Sequence, residues 1–592
     1  MIKTVKTDTL RQKDVNITLA AFPAAVFVFF SFFGNYILYF QETQSLFIFS
    51  KEYLHEHLLK PGAFLEYIAR FLSQFYHQRF PGALVVSLIL TLPLIIVYKI
   101  NKRLIPAIPF SLVLLVIPSF LLLIMQANYY HLLEHNLGFI LVLLYYLFSI
   151  SSGTRLRALL VIFLFPPVYY LAGGYAWIFA LMYIVHNLTF NTGNNKYPYP
   201  LTLLLVASLT FLISWRFLFL QPVDHLIMYP LPVFEGTVYI IVFIILTGYI
   251  VFYPLICRFD WKNKARKLNS RLTSVILIIT VFVVSGFLVF RAHSPQTSRV
   301  VEIERLFYQD KWNEVIRLQE KKPATNLIGE YFYNIALSET DQLCDRLFFG
   351  PQDFLAGSLV LPWSDIHLDR GGYFYYTIGL INEAHRWAYE EMVVFGYRPQ
   401  NIRLLVKTSL INGDYAMAKK YLSILKRTIY YRHWAKEFER LADNPGLIQS
   451  HPELGPKLKL LPKNNFFIQF NEPQNNLPLI LEGQPDNKKA IEYYLAGLLL
   501  TKKVEIAVNN IINMKESGYT RIPRHIEEAV LIYYNSTRKF PDLAGLQLNV
   551  ETMGRFDDYF AAFVQARNDP STMKEKMQEK FGNTFWYYFH FR

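Results

Sequence analysis

Residues 40–82 read FQETQSLFIFSKEYLHEHLLKPGAFLEYIARFLSQFYHQRFPG and separate the first apolar run from the second. This stretch is too polar to cross a bilayer. Its apolar residues nevertheless recur at the spacing of a helix on the membrane surface: Leu58, Phe64, Leu65, Ile68, Phe71, Leu72 and Phe75. Because the stretch also carries carboxylates between two apolar runs, we interpret it as an outer loop, 41–82, that forms the floor of a site.

The composition indicates a membrane protein. Hydrophobic residues make up 53% of the 592 residues and aromatic residues 17%, and the apolar residues are concentrated in the first half. The net charge of +14 does not by itself indicate nucleic acid, because much of the basic excess flanks apolar runs and meets anionic lipid. We therefore expect membrane lipids, and no nucleic acid, as partners. The two cysteines, Cys257 and Cys344, indicate neither a disulfide framework nor a thiolate metal site.

The first half predicts an all-α membrane domain, 1–290, with about nine spans. A span needs about 20 apolar residues, and somewhat fewer can suffice. The first apolar run has no small-residue cleavage site and is interpreted as an uncleaved span. We place the spans at roughly 17–40, 83–99, 104–126, 137–152, 158–171, 172–188, 201–220, 237–256 and 272–290.

The distribution of positive charge predicts the orientation. With the N-terminus in the cytoplasm, the inner segments carry most of the lysines and arginines, including those of 3–13, 99–103, 155–157 and 258–271, while the short outer loops carry few. Between the fifth and sixth spans, Pro166-Pro167 and Gly173-Gly174 break helices, and irregular backbone at membrane depth predicts a cavity on the outer side.

The second half, 291–592, predicts an extracytoplasmic helical domain. From Asn401 to Trp434 a helix, a turn at 412–415 and a second helix follow one another, and Ala416, Ala418, Tyr421 and Leu425 are predicted on one face. Similar pairs recur around 310–312 and from 490 to 514. The pairs resemble degenerate tetratricopeptide units, so we predict a tetratricopeptide-like repeat domain that binds a protein partner or covers a neighbouring surface.

The predicted outer face collects ionisable and aromatic residues. Any one of them more often solvates a loop end, but ionisable groups at a membrane boundary are frequently functional. The candidate site residues are Glu42, His55 and His57 from the first loop, Tyr129, His131 and Glu134 from the second, and Arg216, Asp224 and His225 after the seventh span.

This arrangement resembles the GT-C class of polytopic membrane glycosyltransferases, which take sugars from polyprenyl-phosphate-linked donors on the outer face. The resemblance is architectural and covers about the first 290 residues. It implies that Glu42, in Phe40-Gln41-Glu42-Thr43, is the catalytic base or a metal ligand, and that Glu134 belongs to a second acidic motif. Because no paired acidic motif accompanies Glu42, the cofactor is unknown and a divalent metal is only one possibility.

The predicted chemistry is glycosyl transfer to a glycan or protein acceptor. A carboxylate that removes the proton of an attacking hydroxyl contributes about 10²–10⁴-fold to the rate. Arg216 is the predicted partner of the leaving lipid phosphate, and His55, His57, Tyr129, His131, Asp224 and His225 are the predicted substrate-binding residues. No phosphate-binding glycine loop, HExxH or GxSxG motif occurs, which agrees with a donor that arrives already activated.

Three alternatives remain open. An O-antigen-ligase-type enzyme also has many spans, but it usually relies on a large late outer loop, and 216–235 is short. A membrane-anchored scaffold in envelope assembly or secretion would dock partners on its repeats. A transporter is the third alternative, although we find no duplicated spans and no carboxylates at mid-span. The predicted location is the bacterial inner membrane with a periplasmic C-terminal domain, although an endoplasmic reticulum membrane fits the same topology.

Overall fold

The computed structural model describes residues 2–104, 111–151, 155–191, 196–233, 236–258, 271–470, 472–567 and 570–592. Within these ranges the chain is all-α, with no strand. The basic residues between 259 and 270, positions 105–110 of the third predicted span and position 152 of the fourth lie outside the described residues. The chain divides into two compact units, one formed by 1–294 with 427–430 and the other by 295–426 with 431–592.

The first unit is a bundle of apolar helices with short polar helices at their ends. Helix α5 packs on α1, α6 and α7, and α10 packs on α7 and α13. The helices of this unit are α1 (Ile2–Phe32), α2 (Asn35–Thr43), α3 (Lys51–Glu56), α4 (Ala63–Ser73), α5 (Arg79–Leu104), α6 (Ser111–Gln126), α7 (Leu133–Ser149), α8 (Arg155–Phe163), α9 (Phe165–Ala172), α10 (Tyr175–Phe190), α11 (Pro198–Ile213), α12 (Val223–Met228), α13 (Thr237–Arg258) and α14 (Arg271–Ala292).

Several of these helices are long and apolar enough to cross a membrane. Among the described residues four single helices qualify by length and composition: Lys13–Phe32, Arg79–Leu104, Pro198–Leu218 and Thr237–Arg258. The number rises to six if each of two bent helix pairs is one span, as for Arg155–Phe163 with Phe165–Ala172, bent by 41°. Val113–Gln126, Leu133–Ser149 and Tyr175–Phe190 are shorter apolar helices. The count of nine spans therefore stays a prediction.

The first predicted span, 17–40, does not form one helix. Helix α1 ends at Phe32, and α2 begins at Asn35 after a break at Phe33-Gly34. A Cβ at Gly34 would lie 2.8 Å from the Phe29 ring, so the chain turns closely over the last turn of α1. As a consequence Glu42 lies in the last turn of α2 and not in a loop. The surface helix predicted around 58–75 is formed by α4 and a following 3₁₀ turn, Gln74–His77.

Glycines bring three polar connections of the first unit into close contact. Gly62 and Gly173 have left-handed backbones, with φ of +84° and +56°. The amide of Gly62 donates to the Tyr170 carbonyl at 2.9 Å, and that of Gly174 to the Tyr229 carbonyl at 2.8 Å. The 227–230 segment therefore packs directly against Gly173 and Gly174, and the cavity predicted near this irregular backbone stays a prediction.

The second unit consists of short helices that pack on their sequence neighbours. Leu368–Ile378, Ile381–Phe395, Pro399–Ile411, Tyr415–Lys426 and Arg432–Asp443 each contact the next. The other helices are Pro295–Tyr308, Trp312–Lys321, Leu327–Glu339, Leu343–Arg346, Leu454–Lys459, Asn476–Gly483, Lys488–Leu500, Val504–Asn509, Ile511–Glu516, Arg524–Thr537, Val550–Ala566, Pro570–Phe581 and Phe585–Phe591.

The helix pair predicted within 401–434 lies in this second unit. Ala418, Tyr421 and Leu425 are buried as the pattern predicted, whereas Ala416 is exposed. Ala416 lies two residues before Ala418 in the helix Tyr415–Lys426. Residues that share a helix face are three or four positions apart, so Ala416 does not lie on the buried face that contains Ala418. The helical nature of this unit is confirmed, and its tetratricopeptide-like character stays a prediction.

We expect Gly173→Ala to destabilise the protein strongly. The new Cβ would lie 2.2 Å from the Tyr229 carbonyl oxygen, at a left-handed backbone position, and strain and overpacking together cost about 2 kcal/mol or more. Gly236→Ala is the matched control, because Gly236 also has a positive φ, +90°, but no atom within 4 Å of the added Cβ. Thermal unfolding in detergent measures both. Equal losses in the two variants would contradict close packing at Gly173.

Candidate functional site

A cluster of charged residues surrounds the start of α4. Glu66, in the first turn of α4, forms an ion pair with Arg70 one helical turn later. The ammonium nitrogen of Lys60 lies 3.8 Å from the other carboxylate oxygen of Glu66, which also accepts a hydrogen bond from the Tyr229 hydroxyl. Lys60 Nζ lies 3.8 Å from the centroid of the Tyr229 ring. One carboxylate thus joins α4, the preceding loop and the segment after α12.

A second carboxylate, Glu134, borders this cluster. It lies in the first turn of α7, where acidic groups are favoured by the helix dipole. Glu134 is buried, with 8% of its surface exposed, and α7 packs on α4. Its carboxyl group interacts electrostatically with Glu66, Arg70 and Lys60. We name these residues, Lys60, Glu66, Arg70, Glu134 and Tyr229, the α4 cluster.

The charges in the α4 cluster hold Glu66 in its ionised form. Burial alone would raise the pKa of Glu66, but Arg70, the Tyr229 hydroxyl and Lys60 lower that pKa below its ordinary value. Burial likewise opposes the charge of Arg70, and the Glu66 carboxylate nevertheless raises the pKa of the guanidinium. Two cations are therefore available beside one firmly ionised carboxylate, and the Lys60 and Arg70 side chains remain about one third exposed.

Glu42 forms a separate centre at the end of α2. The side chain is 5% exposed, and its Oε1 lies 3.6 Å from Nδ1 of His77. His77 ends the 3₁₀ turn that follows α4 and is one third exposed. A buried carboxylate beside a more exposed imidazole is an arrangement that can exchange a proton with a bound hydroxyl.

A neutral hydrogen-bond network joins the end of α2 to the segment that leads into α7 and to α13. Gln41, next to Glu42, donates to the carbonyls of Tyr129 at 3.2 Å and His131 at 2.8 Å. The His131 ring bonds to the Tyr239 hydroxyl at 2.6 Å and to Asn136 at 3.1 Å. Both ring nitrogens are occupied and the side chain is fully buried. We therefore expect His131 to fix α2, α7 and α13 together, and not to contact substrate as the sequence predicted.

The other predicted substrate-binding residues fall into two groups. His57 and His225 lie beside the α4 cluster: His57 interacts electrostatically with Glu66, and the His225 ring is parallel to Tyr229 with centroids 6.3 Å apart. Burial lowers the pKa of His57, whose Nδ1 is bonded to the Tyr53 carbonyl at 2.8 Å. The residues of the second group lie at or near the protein surface. His55, Asp224 and Arg216 are exposed, and the Tyr129 ring packs on Phe40 with ring centroids 5.0 Å apart.

Arg216 takes no part in the ion pairs of the α4 cluster. It lies in the π-helical turn Ser214–Leu218 that ends α11, and within the described residues no ion pair holds it. The α4-cluster residues absent from the sequence-based candidates are Lys60, Glu66, Arg70 and Tyr229. One signal was available, because Glu66 and Arg70 are four residues apart on a predicted amphipathic helix, which is the spacing of a helical ion pair. The approach of Lys60 and Tyr229 is a tertiary contact with no local sequence signal.

The described part of the chain contains no group of three or more His, Cys, Asp or Glu side chains arranged to hold a metal ion. The α4 cluster contains the cationic side chains of Lys60 and Arg70, which can neutralise the charge of a phosphate group directly.

Comparisons with known proteins assign a family but no activity. A sequence model described as "Family of unknown function (DUF6057)" matches residues 11–592. No curated protein and no solved structure matches the chain. The geometry of the described residues therefore carries the functional argument.

We expect Glu66→Gln to destabilise the protein at neutral pH by about 1–3 kcal/mol, since it leaves Arg70 and Lys60 without their carboxylate. The folded pKa of Glu66 lies below the ordinary value of 4.5. Its stabilisation is therefore present above that pH and is lost as the pH falls through the folded pKa. Thermal unfolding from pH 7 down to about pH 2, which passes below both the unfolded and the folded pKa, should show a smaller acid-induced loss in Glu66→Gln than in the wild type.

Glu56→Gln is the control for this measurement, because Glu56 is exposed in the same loop and such surface changes usually shift stability by less than about 0.5 kcal/mol. An unchanged midpoint at pH 7 in Glu66→Gln, or the same acid-induced loss as in the wild type, would contradict the role given to this ion pair.

Proposed function

The chain belongs to DUF6057, a family of unknown function, and from its geometry we propose that it is an integral membrane glycosyltransferase similar to the GT-C class. It transfers a sugar from a polyprenyl-phosphate-linked donor to a glycan or protein acceptor on the outer face. The observation that carries the proposal is the α4 cluster, where two accessible cations and two carboxylates meet. Cations suit the departing lipid phosphate, and carboxyl groups suit the proton transfers of glycosyl transfer.

The proposal includes the sidedness predicted from charge. Four segments predicted to be outer contribute to one region: Lys60 to Gly62, Gly173-Gly174, Tyr229 and Glu134. At the opposite ends of α5 and α7, Arg103 donates to the Leu147 carbonyl at 2.8 Å, as expected if both ends lie at the cytoplasmic face. This grouping supports the predicted sidedness. The proposal retains the predicted nine crossings of a bacterial inner membrane, with 291–592 as a tetratricopeptide-like periplasmic domain that also receives a protein partner.

Lys60 and Arg70 replace Arg216 as the phosphate-binding groups in this proposal. Both are held near Glu66 and remain partly accessible, so that a phosphate dianion can share them in the manner of charge-assisted hydrogen bonds. A single positive group at Arg216 lacks such preorganisation, because no other charged side chain of the described residues holds it. Positioning by an existing ion pair reduces the entropy lost when substrate binds.

The two predicted catalytic carboxylates take different tasks. Glu42, beside His77, removes the proton of the acceptor hydroxyl as it attacks the anomeric carbon, and the bond from that carbon to the phosphate oxygen breaks. Glu134 lies near Glu66, and of two neighbouring carboxyl groups one tends to keep its proton. It is thus suited to give a proton to the departing phosphate. Gln41 positions Glu42 relative to the loop that leads to Glu134.

The test of this proposal is the lipid that the protein retains. We expect mass spectrometry of lipids extracted from the purified protein to detect a polyprenyl phosphate or its sugar conjugate. Lys60→Met should reduce the retained amount at least tenfold, because a phosphate contact is lost. Lys51→Met is the matched control, since Lys51 is an exposed cation of the same loop. Absence of polyprenyl lipid from the wild type, or equal retention by both variants, would contradict the proposal.

The same lipid then serves as donor in a transfer assay. Glu42→Gln and Glu134→Gln should each lower transfer by about 10²-fold or more with normal expression. A membrane-anchored scaffold would instead tolerate both substitutions, and an O-antigen-ligase-type enzyme would depend on Arg216 or His225. Full activity of Glu42→Gln and Glu134→Gln would remove the catalytic assignment.

A further inference from the structure

The second unit contains a cavity that the proposed transferase chemistry does not use. Its volume is about 640 Å³, within the range of about 300–1,000 Å³ that small-molecule sites occupy. Residues from Pro295–Tyr308, Leu327–Glu339, Leu368–Ile378, Pro399–Ile411, Arg432–Asp443 and Leu454–Lys459 line it. We name it the repeat-unit pocket.

Three ion pairs in the wall of the repeat-unit pocket neutralise most of its charge. The nitrogen-to-oxygen distances of these pairs are all 2.6 Å, and the pairs are Lys407 with Glu453, Lys457 with Glu339 and Lys489 with Asp341. The Tyr376 hydroxyl also donates to Glu453 at 2.8 Å. Because each of these lysines already has a carboxylate partner, the wall is rigid and polar but carries little free positive charge for an anion.

Three polar groups of the pocket keep open hydrogen-bonding capacity. Asp310 is exposed at the pocket, and within the described residues it has no ion pair or side-chain hydrogen bond. Arg403 bonds through Nη1 to the Tyr308 carbonyl at 3.0 Å, while its buried Nε has no acceptor in the described chain. His451 Nδ1 accepts backbone N–H groups at 3.2 Å, so its proton is on Nε2, which can donate.

An aromatic surface accompanies these groups. Trp434 stacks on Phe438 with ring centroids 3.9 Å apart and an angle of 22° between the planes. The Arg403 guanidinium lies 5.0 Å from the Trp434 ring, and both lie in the wall of the pocket. The indole is held between these neighbours and stays partly exposed, so it gives the pocket an aromatic wall, which attracts polarised C–H groups.

From this combination we propose that the repeat-unit pocket binds a neutral sugar residue of a glycan. A pyranose ring presents an apolar C–H face to Trp434, and its hydroxyls both donate and accept. Asp310 can accept from them, and Arg403 and His451 can donate to them. A wholly apolar ligand would cover Asp310 and leave its carboxylate without a partner, which is costly. A phosphate would meet Asp310 and find the nearby lysines already paired.

This proposal stands independently of the transferase proposal, because a glycan-binding pocket suits a scaffold in the cell envelope equally well. It is tested on the full-length protein purified in a detergent without a sugar headgroup, since maltoside or glucoside detergents would compete. The probes are neutral trisaccharides: chitotriose, maltotriose, mannotriose, xylotriose and galactotriose. Saturation-transfer NMR and titration calorimetry measure the binding.

We expect the wild type to bind at least one of these trisaccharides, and Trp434→Ala and Asp310→Asn each to weaken that binding at least tenfold. Phe467→Ala and Asp557→Asn are the controls, because both residues are exposed and outside the pocket, and they should leave the affinity unchanged. Asp310→Asn keeps the shape of the side chain, so an unchanged unfolding temperature would show that its effect is local. Binding of no trisaccharide by the wild type, or undiminished binding by both pocket variants, would overturn the proposal.

Discussion

The ion pair between Glu66 and Arg70 is the interaction on which the polar side of the first unit depends. The Glu66 carboxylate also accepts a hydrogen bond from the Tyr229 hydroxyl and attracts the Lys60 ammonium group. Three separate segments of the chain therefore contact one carboxylate. Partly buried charges are stable only when they are paired and hydrogen-bonded. The convergence therefore constrains where α4, the loop at Lys60 and the segment after α12 can lie.

Close backbone contact makes this convergence possible. Gly62 and Gly173 adopt left-handed conformations and lie against the chain at Tyr229-Pro230. No residue with a Cβ fits these contacts without displacement, because the nearest atoms lie within 2.2 to 2.5 Å of the ideal Cβ positions. The close packing at these glycines allows Tyr229 to lie beside Glu66, and the Tyr229 hydroxyl donates a hydrogen bond to the Glu66 carboxylate. Loop packing and electrostatics act here as a single arrangement.

The sequence predicted those features that depend on local pattern. The helical class, the apolar helices and the amphipathic α4 follow from spacing and composition. Tertiary relations were not predictable in this way: the break at Phe33-Gly34 placed Glu42 in a helix, and His131 became fully hydrogen-bonded inside the bundle. Lys60 and Arg70 gained importance only because distant residues, Tyr229 and Glu134, approach them. No periodicity in the chain encodes such an approach.

The central claim is that the α4 cluster faces the side of the membrane away from the cytoplasm. Single reporter cysteines at Glu56, Asp224 and Lys102, all exposed, test it by labelling intact cells with an impermeant maleimide. The natural cysteines, Cys257 and Cys344, are buried and give a low background. We predict labelling of Glu56→Cys and Asp224→Cys without permeabilisation, and of Lys102→Cys only after it. Labelling of Lys102→Cys from outside, or of Glu56→Cys and Asp224→Cys from opposite sides, would contradict the account.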